Sequence, residues 1–426
     1  MAVSWFWSGA QSPDGFTVTV KLTAGATSCR LMVDTVNTFP APSYSAAAAP
    51  NATFYVKLTI AGLAPDTLYF YRCEIDGVPD VAMTGEAETF PVAGVSTGVV
   101  FASASCSETA SNHAVFTSIR DKRPLFFCHV GDKHYGASTS TDPAVHVAFH
   151  NTGMSTANQK AMYQVVPAPY TWDDHDYGPN NADATSAGRI AANQAYRQIV
   201  PSHDLVRDDY GIYHYFDVGR IRFILTDTRT FRSPDTDPDG RGKSMLGWTQ
   251  RDWFLDLITT SSQDGTRAIV WANSQQWSIE ENPPAAVDPN DCWWAFAYER
   301  SLIARHMRHV GCPPVVIVSG DAHEIALRRE YINSGMSFMV TQNAALDRSA
   351  NTRYDYWDNG PVPGRGHYGL LTITDDGDTV LTVEHKAYEV SAGGVDTVLW
   401  TEVVDLYPRI ILRPEQAHHR QRRTAA

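Results

Sequence analysis

Residues 126–136 read FFCHVGDKHYG: an apolar run with the composition of a buried strand stops at Gly-Asp, and a tyrosine follows three residues after the acid. A buried carboxylate costs free energy unless it is paired, hydrogen-bonded or bound to a metal ion. Asp132 therefore needs an ion pair, a hydrogen bond or a bound metal ion. If a metal ion is bound, a turn after Asp132 can bring Tyr135 back onto the same ion. Other strands of the chain end in side chains of the same kind.

Residues 96–408 are predicted to form an α/β domain, because apolar strands alternate there with stretches of helical periodicity. The strand candidates are VVFASAS, PLFFCHVG, APYTWDD, RIRFILTDTR, RAIVWANS and PPVVIVSGD. The helix candidates are HAVFTSIR, GRIAANQAYRQIV, LGWTQRDWFLDLITT and ERSLIARHMRHVG. A β-hairpin that turns at DDGD is predicted over residues 369–390.

Residues 1–95 have a different pattern, with short alternating runs such as FTVTVKL, SCRLMVDT, TFYVKLTI and LYFYRCEI separated by turn sequences. Strands at this short, regular spacing predict an antiparallel β-sandwich. The stretch GLAPDTLYFYRCEIDG resembles the end of a fibronectin type III or immunoglobulin-like domain. We therefore predict an all-β domain over residues 1–95, the α/β domain over 96–408 and a polar tail over 409–426.

Composition and charge limit the classes of protein. Apolar residues make up 43% of the 426 residues, which predicts folded cores in more than one compact unit. The net charge of −13 speaks against broad nucleic-acid binding, which needs a basic face. Six cysteines make no disulfide scaffold; Cys29 and Cys73 could pair, but two reduced core thiols are the favoured interpretation.

The protein is expected to be soluble and to contain no transmembrane segment. The start, MAVSWFWSGA, lacks the regions of a secretory signal, and no apolar stretch approaches the roughly 20 residues that span a bilayer. The protein would be periplasmic or secreted if a leader had been removed, and cytoplasmic otherwise. The sequence predicts neither the compartment nor the oligomeric state.

The ends of four α/β strands carry side chains that can bind metal ions. In open α/β sheets ligands collect at the carboxyl ends of strands, so these residues are expected to converge on one crevice. Thiolate, phenolate and imidazole suit a transition metal and carboxylates suit a hard ion, which indicates two metals of unlike character. The residues at the four strand ends are Cys106; Asp132 with Tyr135; Asp173, Asp174 and His175; and Asp321 with His323.

The spacing of these residues predicts a chemistry. The two oxygens of Asp132 can bridge a pair of ions about 3.5–4 Å apart, and Asp321 and His323 can address neighbouring metals. Such a pair lowers the pKa of a water from 15.7 to about 7, so that a metal-bound hydroxide can attack a phosphate ester. The sequence therefore predicts a metal-dependent phosphoesterase that hydrolyses phosphomonoesters, phosphodiesters or both.

Each residue taken alone also has a purely structural interpretation. Asp132 could cap a following helix, Cys106 could be a small buried apolar residue, and Tyr135 could be a packing residue. His323 could be a histidine whose hydrogen bonds are satisfied within the fold, and WDDH could be a turn. The coincidence of four strand ends that all carry metal-competent side chains favours the metal site.

The motifs ASCSE, HVGDKHY, WDDHD, YHYFDVGRIRFILTDTRTFR, LGWTQRDWF and VVIVSGDAHE stand in this order. Together they resemble the PhoD-like alkaline phosphatase and phosphodiesterase family of metallophosphatases. The resemblance implies a catalytic core of two packed mixed β-sheets flanked by helices, with a sandwich domain before it. It also implies a ferric iron, Fe(III), and calcium, Ca(II), centre, in which another divalent ion is possible at the second site.

The resemblance assigns roles to individual residues. The implied iron ligands are Cys106, Asp132, Tyr135 and His323, with Asp132 bridging to a calcium ion that Asp174 and Asp321 also hold. The implied catalytic residues are His175, which would contact the substrate or protonate the leaving group, and Arg229, which would grip phosphate oxygens. For Arg229, an ion pair with Asp227 or another acid is the alternative. Asn180 and Asn181 match an Asn-Asn pair of the family, with a ligand or hydrogen-bonding role.

The chain departs from the family pattern around the GDKHY motif and at its C-terminus. Lys133 and Gly136 stand where the family commonly has an aromatic residue and an acid, which removes a carboxylate beside the centre. The family's C-terminal lid has no clear match beyond the tail after Pro408, so a more open site is expected.

Three functions follow as hypotheses. The first is a phosphoesterase that acts on a small-molecule phosphate ester. The nearest enzyme alternative is a phosphodiesterase of phospholipase D type with the same centre. The alternative from another class is a binding or adhesion protein whose larger domain is a metal-free scaffold. Motifs for a serine hydrolase, a nucleotide kinase or an HExxH zinc protease are absent from the sequence.

Overall fold

The computed structural model describes residues 1–207, 211–277, 291–332, 336–350, 357–378 and 380–407. The predicted polar tail over residues 409–426 lies outside them. None of the described helices is long and apolar enough to cross a membrane.

The regular structure of residues 3–88 consists of β-strands. They form two antiparallel sheets, one in the order β1-β2-β5 and one in the order β4-β3-β6-β7 with β8 on β6. Apolar residues of both sheets share one core, in which Cys29 and Cys73 are buried free thiols. The immunoglobulin or fibronectin likeness and the domain boundaries at residues 95 and 408 stay predictions. The strands are β1 (Val3–Ser12), β2 (Gly15–Leu22), β3 (Cys29–Asp34), β4 (Ser43–Tyr44), β5 (Tyr55–Ile60), β6 (Leu68–Ile75), β7 (Val78–Pro79) and β8 (Gly85–Glu88).

The following residues alternate strands and helices, as the sequence pattern predicts. The strands are β9 (Val99–Ala104), β10 (Phe126–Val130), β11 (Tyr170–Thr171), β12 (His214–Val218), β13 (Ile221–Leu225), β14 (Ala268–Ala272), β15 (Val315–Ser319), β16 (Glu324–Ile332), β17 (Met336–Asn343), β18 (Asn359–Pro363), β19 (His367–Thr374), β20 (Leu381–Val390) and β21 (Asp396–Leu406). The helices are α1 (Val115–Lys122), α2 (Pro143–Met154), α3 (Ala157–Tyr163), α4 (Asp174–Tyr177), α5 (Arg189–Ile199), α6 (Trp248–Ser261) and α7 (Ala297–Val310), and a 3-10 turn over Trp293–Phe296 precedes α7.

These strands form two mixed sheets. The six-stranded sheet has the order β11-β10-β9-β19-β20-β21, in which β9, β10 and β11 are parallel and β19–β21 antiparallel. The seven-stranded sheet has the order β12-β13-β14-β15-β17-β16-β18, in which β13, β14, β15 and β17 are parallel. The hairpin predicted at DDGD is the antiparallel pair β19 and β20.

The two mixed sheets pack face to face through an apolar core that contains residues of both. Phe101 and Phe126 of the six-stranded sheet meet Phe223 of the seven-stranded sheet, with ring centroids 5.2 and 5.1 Å apart. Burial of each such ring contributes about 1.5–3 kcal/mol. Helices α1, α2, α3 and α5 cover the outer face of the six-stranded sheet, and α6 and α7 cover that of the seven-stranded sheet.

The N-terminal strand β1 contacts both apolar layers around it. Phe6 points into the core that the two N-terminal sheets share, whereas Trp5 and Trp7 pack among the helices on the six-stranded sheet. The N-terminal sheets therefore lie directly against the α/β part of the chain.

Candidate metal centre

The candidate centre lies where the carboxyl ends of strands from both mixed sheets meet. Strands β9, β10 and β11 are parallel neighbours, so the loops after them leave the same edge of the six-stranded sheet. The first two loops are joined by backbone hydrogen bonds, from Cys106 N to Gly131 O at 3.2 Å and from Ser107 N to Asp132 O at 2.8 Å. Strand β15 of the other sheet ends one residue before Gly320 and supplies Asp321 and His323.

Four of the predicted ligands have a left-handed backbone. The φ angles are 61° at Cys106, 52° at Asp132, 68° at Asp321 and 49° at His323. Residues other than glycine rarely adopt this region, and each such position costs on the order of 1–3 kcal/mol unless the surroundings hold it. Strain of this kind concentrates at functional sites. Here the left-handed backbone turns the chain sharply in the segment that follows each strand.

Two glycines allow these loops to approach each other. A Cβ atom on Gly131, whose φ is +101°, would lie 2.5 Å from Cβ of Asp173. A Cβ atom on Gly320 would lie 2.6 Å from Oγ of Ser105 and 2.7 Å from the carbonyl oxygen of Val130. A side chain at either position would push apart the loops that carry the predicted ligands.

The structure brings the predicted iron ligands together. Ligand atoms of Cys106, Asp132 and His323 all lie within 4.8 Å of one another. The hydroxyl of Tyr135 lies 2.9 Å from Nε2 of His323. Burial raises the pKa of the Cys106 thiol and the Tyr135 phenol well above their usual range, and the charge of Asp132 raises both further.

A second group adjoins the first and shares Asp132 with it. Ligand atoms of Asp132, Asp174 and His175 also lie within 4.8 Å of one another. The carboxylate of Asp174 accepts hydrogen bonds from the backbone N–H groups of His175 at 2.8 Å and Asn181 at 2.6 Å. Asp321 is buried beside both groups, where its charge raises the pKa values of Cys106 and Asp132.

The acids of the centre repel one another. Burial raises the pKa of Asp132 well above its usual range, and Asp174 and Asp173 raise it further. Burial raises the pKa of Asp173 to about 6 and that of Asp176 to about 7. Burial opposes ionisation of Asp174, but the charges of Arg229 and His175 and the backbone hydrogen bonds from Asn181 and His175 together outweigh it, and the pKa is lowered. A cation among these carboxylates would take the place of protons, so the donor set fits a metal centre.

Arg229 occupies a different environment from the one expected of a phosphate-binding residue. Its side chain is fully buried, and its Nε donates to Asp173 at 2.6 Å while its Nη1 donates to Asp291 at 2.9 Å. Asp227 accepts a hydrogen bond from the backbone N–H of Arg229 rather than from its guanidinium. The structure thus contains the ion pairs of the alternative interpretation, with Asp173 and Asp291 as the acids, and the contact of Arg229 with a substrate stays a prediction.

His175 lies at the mouth of the centre. Its ring is partly exposed and packs on the ring of Tyr135, with the centroids 4.4 Å apart. Burial lowers the pKa of His175, an effect that the neighbouring Asp174 opposes. The ring belongs to the second group of ligand atoms, so it lies close enough to hold a metal as well as to meet a substrate.

The Asn-Asn pair lies beside Asp174. Besides its backbone bond to Asp174, Asn181 accepts a hydrogen bond from the side chain of Asn180 at 2.6 Å. The backbone of Asn181 thus helps to orient a candidate ligand, whereas Asn180 is exposed.

Sequence reasoning missed two residues at the mouth of the centre. The guanidinium of Arg348 stacks on Tyr135 at 3.8 Å from the ring centroid and pairs with Glu108. Glu108 stands two residues after Cys106, in the quoted motif ASCSE, and was a detectable signal. Arg348 stands in no motif at a strand end, so no sequence signal marked it.

The fold is similar to those of two solved phosphatase structures. The structure titled "Structure of PhoD" matches with a TM-score of 0.76 at 18% identity, over 99% of this chain and 98% of that one. Purple acid phosphatase PPD1 from yellow lupin (Lupinus luteus) seeds matches with a TM-score of 0.60 at 11% identity, over 94% of this chain and 74% of that one. No curated protein sequence matches the chain.

Two packed mixed sheets carry a cluster of thiol, phenol, carboxylate and imidazole groups at their common edge, and together with the match to a phosphatase family model they indicate a metal-dependent phosphoesterase. The model of one such family, described as PhoD-like phosphatase, matches residues 101–337, more than half of the chain. The chain belongs to the PhoD-like phosphatase family.

Proposed function

We propose that this protein hydrolyses phosphomonoesters, phosphodiesters or both at a two-metal centre. The observation that carries the proposal is the convergence of two ligand groups that share Asp132. A buried carboxylate in two such groups is suited to bridge a pair of ions.

Each ion has a donor set of suitable chemistry. Thiolate, phenolate and imidazole are ligands for Fe(III), and carboxylates are ligands for Ca(II) or another divalent ion. When bound, the ions supply an activated water and screen the charge of the phosphoryl oxygens. The proposed iron ligands are Cys106, Asp132, Tyr135 and His323, and the proposed ligands of the second ion are Asp132, Asp174 and Asp321.

The chain's own residues position these groups and meet the substrate. Arg229 holds Asp173 in the buried layer behind Asp174, where Ser274 and Gln275 also donate to Asp173. His175 faces the mouth, where an imidazole can contact the substrate or pass a proton to the leaving group. The N-terminal strands resemble an immunoglobulin or fibronectin domain in pattern, and we propose that they serve as a structural unit.

The test is hydrolysis of p-nitrophenyl phosphate and bis-p-nitrophenyl phosphate by the purified protein. We expect turnover of at least one ester, loss of turnover after chelation, and a loss of about 1,000-fold or more in Asp132→Asn. The control is Asp256→Asn, which removes an exposed carboxylate on the outer helix α6 and should leave turnover unchanged. Absence of hydrolysis of both esters, or full activity in Asp132→Asn, would overturn the proposal.

The same pair of esters separates the two enzyme hypotheses. A phosphodiesterase of phospholipase D type would prefer the diester, because its pocket must admit two ester substituents. A protein that binds no stoichiometric metal and hydrolyses neither ester would support the binding-protein alternative.

A further inference from the structure

We propose that Arg348 binds the phosphate group of the substrate, through the Nε–Nη2 edge of its guanidinium. The inference rests on the proposed function and extends it by naming the residue that recognises the anion. It assigns to Arg348 the phosphate contact that the family resemblance implies for Arg229.

The positively charged side chains near the centre differ in whether they can reach a substrate. Arg229 is fully buried and neutralised by two carboxylates. Lys133 is also buried, and its ammonium lies over the rings of Trp7 and Tyr163, on the side of the N-terminal strands. The side chain of Arg348, in contrast, is 31% exposed and lies over Tyr135 at the mouth.

The backbone on both sides of Arg348 is fixed to the centre. The N–H of Leu346 donates to Ser105 O at 2.9 Å, and the N–H of Asp347 donates to Cys106 O at 3.1 Å. On the other side, the carbonyl of Ser349 lies 3.0 Å from Nδ1 of His323. Arg348 is thus anchored between two candidate metal ligands, which limits the conformational entropy it would lose on binding a substrate.

Several N–H donors of the Arg348 guanidinium make no hydrogen bond within the described part of the chain. Its Nη1 donates to Glu108, and its plane stacks on the ring of Tyr135. Among the described residues, no other group accepts a hydrogen bond from Arg348. The Nε and Nη2 groups form a planar fork that matches two oxygens of a phosphate, and such bidentate, charge-assisted pairs are among the strong interactions of arginine.

The positive charge of Arg348 interacts with the groups that would surround the phosphate. Burial lowers the pKa of His175, and the charge of Arg348 adds to this effect. Burial opposes the charge of Arg348, but its hydrogen bond to Glu108 raises the pKa, and the charge of Asp132 adds to this rise. The carboxylate of Glu108 offsets the positive charge of the Arg348 guanidinium at the mouth of a site that is rich in carboxylates. A phosphate that arrives beside Tyr135 and His175 would share Arg348 with Glu108.

The experiment measures binding of inorganic phosphate to the purified, metal-containing protein by calorimetry, together with KM and kcat for p-nitrophenyl phosphate. In Arg348→Ala, we expect the Kd for phosphate and the KM to rise about 10- to 100-fold, with unchanged metal content. Arg348→Lys should recover only part of this loss, because an ammonium cannot bind in the bidentate mode. Glu108→Gln should tighten phosphate binding, because it removes the competing carboxylate.

The matched control is Arg365→Ala. Arg365 pairs with Asp347, the neighbour of Arg348, so this variant removes the same charge from an adjoining ion pair without contact to Tyr135. We expect changes below about twofold in the Kd for phosphate.

Two results would overturn the inference while leaving the proposed function intact. One is a catalytically active Arg348→Ala protein whose Kd for phosphate and KM are unchanged. The other is an Arg348→Ala protein that loses metal and kcat but keeps its affinity for phosphate, which would make Arg348 a support for Tyr135. A wild-type protein without metal or hydrolysis would instead overturn the proposed function.

Discussion

One hydrogen-to-methyl change at Gly131 tests how closely the loops of the centre must approach. Gly131→Ala combines a φ of +101° with a contact of 2.5 Å to Cβ of Asp173, so we expect a loss of about 2–4 kcal/mol in the free energy of unfolding. The control is Gly77→Ala, where φ is +80° and nothing lies within 4 Å, and where only about 1 kcal/mol should be lost. Denaturant unfolding measures both, and equal losses would contradict the close approach.

Tyr135 offers a spectroscopic test of the proposed iron site. A phenolate bound to Fe(III) gives a charge-transfer band in the visible range, so the purified protein should be coloured and Tyr135→Phe should shift or abolish the band. The control is Tyr388→Phe, which removes a phenol from the distant strand β20. An unchanged visible spectrum in Tyr135→Phe would remove Tyr135 from the iron ligands.

The sequence could indicate most individual residues of the centre, because each ligand directly follows a predicted strand and its backbone turns at that point. It could not indicate Asp291 as a partner of Arg229, because Asp291 lies 62 positions away in the chain and in no motif. The same reason hides Arg348, whose position depends on backbone bonds to residues 105 and 106. Contacts between segments far apart in sequence decide both roles.

At the scale of elements, strand β20 contains a histidine that the fold keeps neutral. Nδ1 of His385 accepts a hydrogen bond from Nε1 of Trp400 at 3.3 Å, and Nε2 lies 3.1 Å from Oδ1 of Asn343. Burial lowers the pKa of His385 to about 3, from 6.5 in its usual state. The folded state therefore disfavours protonation, and the contribution of His385 to stability is complete above pH 6.5 and falls as the pH drops towards 3.

We expect the wild type to lose about 1.4 kcal/mol per pH unit below pH 6.5 relative to His385→Gln, which does not titrate. The measurement is the free energy of unfolding of both proteins at pH 7, 6 and 5. Taking the difference between them cancels the pH dependence of metal binding. A difference that stays constant over this range would contradict the assignment of a neutral, buried His385.

Strong periodicity made several elements predictable. The patterns of 188–200 and 246–260 correspond to α5 and α6, and the apolar runs before the ligands correspond to β9, β10 and β15. Helix α2 was missed, although Asp142 accepts a hydrogen bond from Ala144 N as its N-cap and Pro143 follows. Its buried residues include His146 and His150, which a search for apolar periodicity does not count. Strand β11 is only two residues long, because Asp173 already caps helix α4.

At the scale of the whole molecule, strand β1 contacts chain segments that lead to the candidate centre. The indole N–H of Trp7 donates to the carbonyl of Ala168, on the segment that leads to Asp174. The ring of Trp7 also lies 5.1 Å from the ammonium of Lys133, the neighbour of Asp132. Trp7 therefore supports both loops that carry the second ligand group.

We expect Trp7→Leu to weaken metal binding about 10-fold or more, because groups behind metal ligands orient them. The control is Phe6→Leu, which removes a buried ring from the opposite face of the same strand. Both variants should lower the melting temperature, but only Trp7→Leu should lose metal to a competing chelator at a lower chelator concentration. Equal metal retention would contradict the role of Trp7 as a support of the centre.

From the change in pattern near residue 96, the sequence predicted strands before this point and alternating strands and helices after it, and the domain boundary itself stays a prediction. It did not predict that β1 would face two cores, because alternation in WFWSG does not reveal which layer covers each side. The joining of the parts depends on Trp5 and Trp7, whose contacts lie more than 100 residues away in the chain.

The central claim is that side chains from both mixed sheets hold a pair of metal ions through a shared Asp132. Elemental analysis of the purified wild type and of Asp132→Asn tests it most directly. The account predicts about two metal ions per wild-type chain, with iron among them, and a loss of metal in Asp132→Asn. A wild-type protein without stoichiometric metal, or an equal metal content in both proteins, would contradict it.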